Sequence, residues 1–374
     1  MATHFHSLAV KRVAPDAAGS AAITFALPPS LAPSFDFRPG QFLTLRAFIN
    51  GEEVRRSYSI CSPHQRYTQA QEIDIGIKPV EGGSFSRWAV AALSPGSAID
   101  VMTPDGRFTP RATSARHRVG FAAGSGITPL LSIIASTLAD EPASAFTLVY
   151  SNQRVDTIMF SERLQDLKDR YPARLMLIHL LSRQAQEVPL LQGRLGEAKV
   201  SELMRTVIPP SGIDEAFVCG PEGMIESVER ALLSAGVPAT RILCERFLTA
   251  DSARVPRSAA PAAHTAAAAA TAGDAASPPA AGPITLDVVL DGKTHQLRMG
   301  PADRVLDVAL DAGLDLPYSC RAGVCCTCRA RVLEGRVEME KNFTLEPWEV
   351  EKGFVLTCQA RPLSERLVLS YDER

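Results

Sequence analysis

The amino-acid sequence predicts a multidomain fold: an antiparallel β-barrel, then an α/β domain, then a small C-terminal domain built around a cysteine-rich loop. Short strands separated by Pro, Gly and Asn clusters fill residues 1–112, whereas strands and helices alternate in residues 113–248. Residues 249–283 are dominated by Ala, Pro, Ser and Thr, and they predict a flexible linker because they offer little apolar surface to bury. A patterned sequence returns in residues 284–374, which form the predicted C-terminal domain.

Length and charge restrict the class of protein. The chain has 374 residues, 46% of them hydrophobic, and a formal net charge of -2, which suits an enzyme with two or three modest cores. We see no basic run interleaved with aromatic residues, so nucleic acid is not an expected partner. The first residues lack a long apolar segment. We therefore expect neither a secretory signal nor a membrane anchor, and we expect a cytoplasmic protein.

Four of the eight cysteines follow the spacing C-x4-C-x2-C with a distant fourth cysteine. They are Cys320, Cys325, Cys328 and Cys358, and this spacing is typical of plant-type [2Fe-2S] clusters, whose iron ions need soft anionic ligands from several directions. Structural zinc is the alternative, but zinc sites usually combine two C-x2-C pairs and only one is present here. Cys326 lies between two ligands and is predicted to be a free thiol.

One strand of the predicted barrel carries a distinctive set of side chains. The strands are predicted at residues 22–27, 41–48, 56–60, 72–78 and 98–102. The third of them begins Arg56-Ser57-Tyr58-Ser59, which places a cation, an aromatic face and hydroxyl groups within one short stretch. Because Arg and Tyr that alternate on a strand often only cover a sheet face, this tetrapeptide alone does not define a site.

A glycine turn follows the predicted barrel strand at residues 72–78 and opens a predicted helix. The residues of this turn are Gly82, Gly83, Ser84, Phe85, Ser86, Arg87 and Trp88. Glycines let the backbone close on a phosphate, and a helix N-terminus presents N–H donors and the positive end of its dipole. The alternative is a plain glycine turn with a serine as the N-cap.

From Arg118 onward the sequence predicts a parallel sheet covered by helices. Its strands are predicted at residues 119–123, 146–150, 175–181 and 216–219, and its helices at residues 130–138, 159–168 and 200–206. The first strand runs into a G-x-G-x-x-P turn made of Gly124, Ser125, Gly126, Ile127, Thr128 and Pro129. This turn differs from the G-x-G-x-x-G dinucleotide fingerprint and is weak evidence for a nucleotide by itself.

Two further features bear on the ligand of this sheet. The strand at 216–219 ends at Cys219 and is followed directly by Gly220 and Pro221; an ordinary buried strand cysteine is the alternative to a binding role for Cys219. No acidic residue stands directly at the end of strand 146–150 to hold a ribose 2′-hydroxyl, whereas Arg154 could meet a 2′-phosphate. This favours NADPH, although the nearby Asp156 keeps NADH open.

The motifs before the linker resemble those of the ferredoxin-NADP reductase superfamily, namely R-x-Y-S at residues 56–59 and the C-G-P element. The resemblance implies that Tyr58 packs on the isoalloxazine of FAD, that Arg56 neutralises the FAD pyrophosphate and that Ser59 lies near the reactive N5. It also places Cys219 beside the nicotinamide.

The reductase part ends with two further candidates. Related reductases end with an aromatic or acidic residue near the flavin face, which makes Glu245 and Phe247 candidates for that position. Anchoring of Phe247 in the core is the alternative. The resemblance therefore offers Tyr58, Ser59, Cys219 and Glu245 as the catalytic candidates.

Residues 284–374 resemble the β-grasp of plant-type ferredoxins, because a hairpin turning at Asp291-Gly292 is followed by a helix, the ligand loop and further strands. The whole order of parts resembles the reductase components of bacterial multicomponent oxygenases, and especially those that serve the di-iron epoxidases of phenylacetate catabolism. This implies an oxidoreductase that passes electrons from NAD(P)H through FAD and a [2Fe-2S] cluster to an oxygenase. Reductases of Rieske dioxygenases, steroid hydroxylases or desaturases share these motifs, and a redox-sensing module without turnover is a further alternative.

Overall fold

The computed structural model describes residues 4–112, 115–247 and 283–373. The chain divides into two compact units; the described residues 6–247 belong to one and residues 283–373 to the other. The predicted linker lies outside the described residues, apart from residue 283. Among the described helices, none combines the length and the apolar character needed to cross a bilayer.

The first part of the larger unit is a curled six-stranded sheet in the order β4-β3-β6-β1-β2-β5. Its elements are β1 (Phe5–Pro15), β2 (Ala21–Ala26), β3 (Phe42–Ile49), β4 (Glu52–Ser59), α1 (His64–Ala70), β5 (Glu72–Ile77), α2 (Ser84–Ala92) and β6 (Ala98–Met102). The outermost strands approach each other at a bridge between Ile60 and Ile75, so that the sheet closes toward a barrel. The predicted barrel is thereby confirmed as a curled, half-closed sheet.

Alternate strand residues fill the interior of this barrel, as the period of two requires. Leu43 and Leu45 of β3 and Ile73 and Ile75 of β5 are fully buried in one core. Phe85, the second residue of α2, is buried in the same core. The start of α2 is therefore fixed against the sheet beside β4.

The second part of the larger unit is a parallel sheet in the order β11-β10-β7-β8-β9. Its elements are β7 (His117–Ala123), α3 (Ile127–Asp140), β8 (Ala145–Asn152), α4 (Ser161–Arg170), β9 (Leu175–Leu181), α5 (Glu197–Thr206), β10 (Glu215–Gly220), α6 (Glu222–Ser234) and β11 (Ile242–Arg246). The strand order reverses between β7 and β10, and open α/β sheets bind ligands at the carboxyl ends of the strands at such a point.

The smaller unit has a five-stranded sheet in the order β13-β12-β18-β14-β16 and a two-stranded sheet of β15 and β17. Its elements are β12 (Ile284–Leu290), β13 (Lys293–Met299), α7 (Val305–Asp311), β14 (Arg329–Glu334), β15 (Val337–Met339), α8 (Pro347–Glu351), β16 (Phe354–Leu356), β17 (Ala360–Pro362) and β18 (Arg366–Ser370). The predicted hairpin is confirmed, since Asp291 and Gly292 both have positive φ between β12 and β13, as a two-residue turn of this hand requires.

A fully buried arginine ties the barrel to the parallel sheet. Arg118 of β7 donates from Nε to Oε2 of Glu215 at 2.8 Å, from Nη1 to the carboxylate of Glu141, and from Nη2 to the carbonyl of Ala112 at 2.8 Å. Oε1 of Glu215 accepts the N–H groups of Arg111 and Ala112 at 2.7 and 2.9 Å. The chain that leaves the barrel is thus held by one buried ion pair.

We expect Glu215→Ala to lower the free energy of unfolding by about 3–5 kcal/mol, because it removes the buried carboxylate that pairs with the buried Arg118 guanidinium and that accepts two backbone N–H groups. Thermal and urea unfolding followed by circular dichroism will measure the loss. Glu187→Ala, at an exposed loop position, is the control and should change little. Equal stabilities for both variants would contradict the structural role of the pair.

Candidate functional site

The tetrapeptide at the end of β4 divides its side chains between the two faces of the strand. The hydroxyl groups of Ser57 and Thr44 lie 3.0 Å apart on one face. On the other face the half-buried ring of Tyr58 lies 5.8 Å from that of Phe85, at an interplanar angle of 35°. Burial raises the pKa of Tyr58, which keeps its hydroxyl neutral. The side chain of Arg56 is exposed and donates to the carbonyl of Arg55 at 2.7 Å.

The predicted glycine turn lies next to this strand. Gly82 has a φ of 72°, which glycine adopts without strain, and Gly83 is the N-cap of α2. No side chain caps the helix there, so its first N–H groups are available to an anion. Ser86, predicted as a ligand residue, accepts instead the N–H of Val80 at 3.1 Å and stabilises the turn. Ser84 is exposed at the first helical position.

The G-x-G-x-x-P turn packs directly on the C-G-P element. A Cβ on Gly126 would lie 2.1 Å from the carbonyl oxygen of Cys219, a distance that no side chain tolerates. Gly124 has a φ of 54°, and its carbonyl accepts the hydroxyl of Tyr150 at 2.8 Å. The two predicted motifs therefore meet at the carboxyl ends of β7 and β10, the point where the strand order reverses.

The rest of the G-x-G-x-x-P turn and of the C-G-P element is ordered around this contact. Thr128 is buried and donates from its hydroxyl to the carbonyl of Ser125 at 3.0 Å, and Pro129 is buried in the first turn of α3. Gly220 is buried at the end of β10, whereas Pro221 is exposed and is the N-cap of α6.

Glu245 lies close to two other predicted site residues, Ser59 and Cys219. Its Oε2 accepts the hydroxyl of Ser59 at 3.3 Å and lies 4.0 Å from Sγ of Cys219, which is its neighbour across β10 and β11. The surrounding protein raises the pKa of Glu245 to about 8, because it removes water from the carboxyl group, and the Ser59 hydrogen bond opposes this shift. Burial likewise raises the pKa of Cys219. Phe247 is half-buried against the core on this side of the sheet.

Three polar residues that sequence reasoning missed lie at the same edge of the sheet. Lys78 follows β5, and a Cβ on Gly124 would lie 3.8 Å from its Nζ. Burial lowers the pKa of Lys78. Asn152 ends β8, and its buried Nδ2 has no hydrogen-bond partner among the described residues. A positively charged residue directly after a strand was the signal that could have identified Lys78.

The region expected to hold the adenosine ribose contains two arginines. Arg154 is exposed and pairs with Asp156, with Nε 3.3 Å from Oδ1. The third missed residue, Arg183, follows β9; its side chain is exposed and its backbone N–H donates to the carbonyl of Gln153 at 2.9 Å. The loops after β8 and β9 therefore lie side by side.

The four predicted ligand cysteines converge in the smaller unit. The Sγ of Cys320 contacts those of Cys325 and Cys358, and Cys328 contacts Cys358. Hydrogen bonds from these neighbours, and backbone N–H groups that include Ala322 at 3.3 Å, lower the pKa of Cys320. In the parts of the chain that the structure describes, no three His, Cys, Asp or Glu side chains enclose a position for a single metal ion.

The loop that carries these cysteines is held at several points. A Cβ on Gly323, whose φ is 78°, would lie 2.9 Å from the carbonyl of Lys341. The hydroxyl of Thr357 donates to the carbonyl of Cys328 at 2.9 Å, and the buried Tyr371 donates to that hydroxyl at 2.7 Å. Inward N–H groups and a fixed loop suit sulfur ligands that carry negative charge.

Three family models match the chain in the order that the folds suggest. An oxidoreductase FAD-binding domain matches residues 11–109, an oxidoreductase NAD-binding domain matches residues 121–230, and a 2Fe-2S iron-sulfur cluster binding domain matches residues 288–363. FAD, NAD(P)H and a [2Fe-2S] cluster are therefore the cofactors of this chain, as the sequence predicted.

Curated relatives and a solved structure match over nearly the whole chain. A component of 1,2-phenylacetyl-CoA epoxidase from Escherichia coli (strain K12) is 41% identical, with 100% of this chain and 99% of the relative covered. The ferredoxin reductase component of 3-ketosteroid-9-alpha-monooxygenase from Rhodococcus rhodochrous is 34% identical, with coverages of 97% and 96%. Phthalate dioxygenase reductase has the same fold, with a TM-score of 0.57, 21% identity and 98% of both chains covered.

The ketosteroid monooxygenase relative is by name a ferredoxin reductase component, and the three family models match the parts of such a reductase, so the resemblance inferred from the sequence is confirmed. The chain transfers electrons from NAD(P)H through FAD and the cluster to an oxygenase. It belongs to the family of reductases with FAD-binding, NAD-binding and 2Fe-2S domains that includes this component of phenylacetyl-CoA epoxidase.

Proposed function

We propose that this chain delivers electrons from NADPH to the oxygenase component of a phenylacetyl-CoA epoxidase. The observation that carries the proposal is the 41% identity to the epoxidase component over both full lengths, against 34% for the ketosteroid monooxygenase reductase. A reductase for another oxygenase has the same cofactor sites and is the alternative. We also infer a cytoplasmic location, because none of the eight cysteines, all of which lie in the described parts of the chain, forms a disulfide, as is usual in a reducing compartment.

We assign FAD to residues 1–112, NAD(P)H to residues 113–248 and the cluster to residues 284–374, with 249–283 as a linker. When bound, the nicotinamide supplies a hydride, and the flavin and cluster convert its two electrons into single-electron transfers. The flavin ring is assigned to the Tyr58 face, where Phe85 supports the tyrosine. The FAD phosphates are assigned to Arg56, which supplies positive charge, and to the N-terminus of α2, which has no side-chain cap and supplies N–H donors.

The proposed nicotinamide site is the meeting point of the Gly124–Pro129 turn with Cys219, Gly220 and Pro221. The unpartnered Nδ2 of Asn152 and the ammonium of Lys78 fit a nucleotide there, because both need an acceptor or an anion. Glu245, with a pKa of about 8, is largely protonated at pH 7 and holds a proton beside the Ser59 hydroxyl. These two groups can therefore stabilise or exchange a proton where the hydride is delivered.

The first experiment measures NADPH oxidation with the oxygenase component of a phenylacetyl-CoA epoxidase and phenylacetyl-CoA, in the purified wild type and in Cys328→Ser. We expect coupled epoxide formation in the wild type. In the variant we expect normal flavin reduction by NADPH and no delivery to the oxygenase, because only the cluster loses a ligand.

Cys326→Ser is the matched control, since Cys326 is the non-coordinating cysteine of the same loop, and it should behave as the wild type. A wild type that reduces cytochrome c but never couples to this oxygenase would contradict the assigned partner. Loss of flavin reduction in Cys328→Ser would contradict the proposal that the cluster is needed only for electron transfer from the flavin to the oxygenase.

Arg183→Ala should raise the KM for NADPH about tenfold and leave that for NADH unchanged, because a hydrogen bond to a charged group is worth about 1.5–3 kcal/mol and only NADPH carries the 2′-phosphate. Steady-state kinetics with both nucleotides will measure this. Arg154→Ala should show a smaller effect, since Asp156 already pairs with that arginine. An equal change for NADPH and NADH would exclude Arg183 from phosphate recognition.

Glu245→Gln should remove one pH dependence of stability. The folded chain holds the Glu245 proton more tightly than the unfolded chain, so the wild type loses stability as pH rises from about 4.5, the ordinary value, to about 8. The Tm of the variant minus that of the wild type should therefore be near zero at pH 5 and rise to a plateau above pH 8. Differential scanning calorimetry across this range provides the measurement; a constant difference would show that the carboxyl group is not perturbed.

A further inference from the structure

An ion pair between a half-buried arginine and a buried carboxylate crosses from the parallel-sheet part of the unit to the barrel. Nη2 of Arg163, on α4, lies 3.1 Å from Oδ2 of Asp74, on β5. Asp74 is fully buried, and its Oδ1 accepts the hydroxyl of Thr24 at 2.7 Å. A carboxylate in this position needs counter-charge, and Arg163 provides it from the neighbouring part of the unit.

The backbone and ring of Phe160 add two contacts beside this pair. Phe160 has a φ of 58° and comes directly before α4, and its N–H donates to Oδ2 of Asp16, between β1 and β2, at 3.0 Å. The guanidinium of Arg163 lies 5.1 Å from the centre of the Phe160 ring. The entry of α4 is thus attached to the barrel by a backbone hydrogen bond as well as by an ion pair.

At Gly76 of β5, the barrel packs closely on Thr128 and Phe160 of the parallel-sheet part. A Cβ on Gly76 would lie 2.6 Å from Cγ2 of Thr128 and 2.9 Å from the Phe160 ring. Thr128 belongs to the G-x-G-x-x-P turn, and Lys78 lies two residues after Gly76, with Nζ beside Gly124. The same contact therefore sets the distance between the barrel strand and the turn assigned to the nucleotide.

The other groups around Asp74 do not join the two parts of the unit. Arg66 lies 3.5 Å from Asp74, but it belongs to α1, which returns to the same barrel, and it also pairs with Glu72 at 2.6 Å. Burial raises the pKa of Cys61 to about 12, so this thiol, 4.0 Å from Arg163, is neutral. Arg163 is the charged group of this cluster that comes from the parallel sheet.

We propose that Arg163 is a positioning residue for hydride delivery: by pairing with Asp74 it holds the G-x-G-x-x-P turn at a fixed distance from the barrel. This inference rests on the assignment of the nicotinamide to that turn. Misplacement of reacting groups by about 1 Å can cost about 100-fold in rate, whereas nucleotide affinity depends on contacts within the turn and the sheet. Loss of the pair should therefore lower the rate of flavin reduction more than the affinity for nucleotide.

The test compares Arg163→Met, Arg163→Lys and Arg170→Met in the full-length holoprotein. Arg170 lies on the same helix, is exposed and is the matched control. Stopped-flow flavin reduction by NADPH gives the rate at saturation, and the Kd for NADP⁺ is measured separately. The deuterium isotope effect with NADPH labelled at the transferred position reports the hydride step, and FAD content and the spectrum of the cluster report assembly.

In Arg163→Met we expect a saturating rate about 10- to 100-fold lower, a Kd for NADP⁺ within about threefold of wild type, a larger isotope effect and full FAD content. Arg163→Lys, which keeps the charge, should recover most of the rate, and Arg170→Met should match the wild type. A wild-type rate in Arg163→Met, or a loss of rate that matches a loss of FAD, would overturn the proposal.

Asp74→Asn and the double variant Asp74→Asn/Arg163→Met distinguish loss of the Arg163–Asp74 interaction from a general loss of folding as the cause of a lower rate. The asparagine can still accept the Thr24 hydroxyl, and the double variant leaves neither partner of the pair charged. We expect the double variant to be no slower than Arg163→Met alone, because both changes remove one interaction. Additive losses would overturn the proposal. A wild type that NADPH does not reduce would instead overturn the proposed function itself.

Discussion

The reductase site depends on the close approach of two backbone turns. A side chain at position 126 would overlap the carbonyl of Cys219, so the glycine is a geometric requirement and fixes the first turn of α3 against the end of β10. Cys219 is in turn the strand partner of Glu245 on β11, and Glu245 accepts a hydrogen bond from Ser59 on the barrel. The close contact between Gly126 and Cys219 therefore helps to position Glu245 and Ser59, which come from two other segments of the chain.

Charged groups at a buried contact fix the relative position of two packed elements, which apolar packing alone does not. The free energy of hydrophobic burial is proportional to the apolar area buried and does not depend on direction, whereas an ion pair shielded from water is stable only when its two charges lie close together. Arg163 with Asp74 joins the parallel-sheet part to the barrel in this way. The Arg118–Glu215 pair lies within the parallel sheet and holds the backbone of Arg111 and Ala112, where the chain leaves the barrel. Together with the close fit over Gly76, they favour one arrangement of the two halves of the reductase unit.

The fold was predictable because its signals are local, whereas the site was predictable only where its chemistry is written as a motif. Alternation in the barrel strands and the strand-helix order of the parallel sheet depend on neighbouring residues, and the structure confirms them. Strand β1 and helix α6 were not predicted from the sequence. Lys78, Asn152 and Arg163 carry no motif spacing, and only folding brings Arg163 to the carboxylate of Asp74. Ser86, conversely, belongs to a motif, but its hydrogen bond is with the backbone of its own turn.

The cysteines illustrate how environment, rather than residue type, decides chemistry. Burial raises the pKa of Cys61 and Cys219, for Cys61 in spite of the nearby Arg163, and it keeps those thiols neutral. In the cluster loop, Arg321, Gly323 and Cys326 have φ between 54° and 78°, and Cys320 accepts backbone N–H groups that lower its pKa. A non-glycine residue in this region costs on the order of 1–3 kcal/mol. Because metal ligation contributes folding free energy, the cluster can offset that strain, and the loop conformation and the iron sulfide it binds therefore stabilise each other.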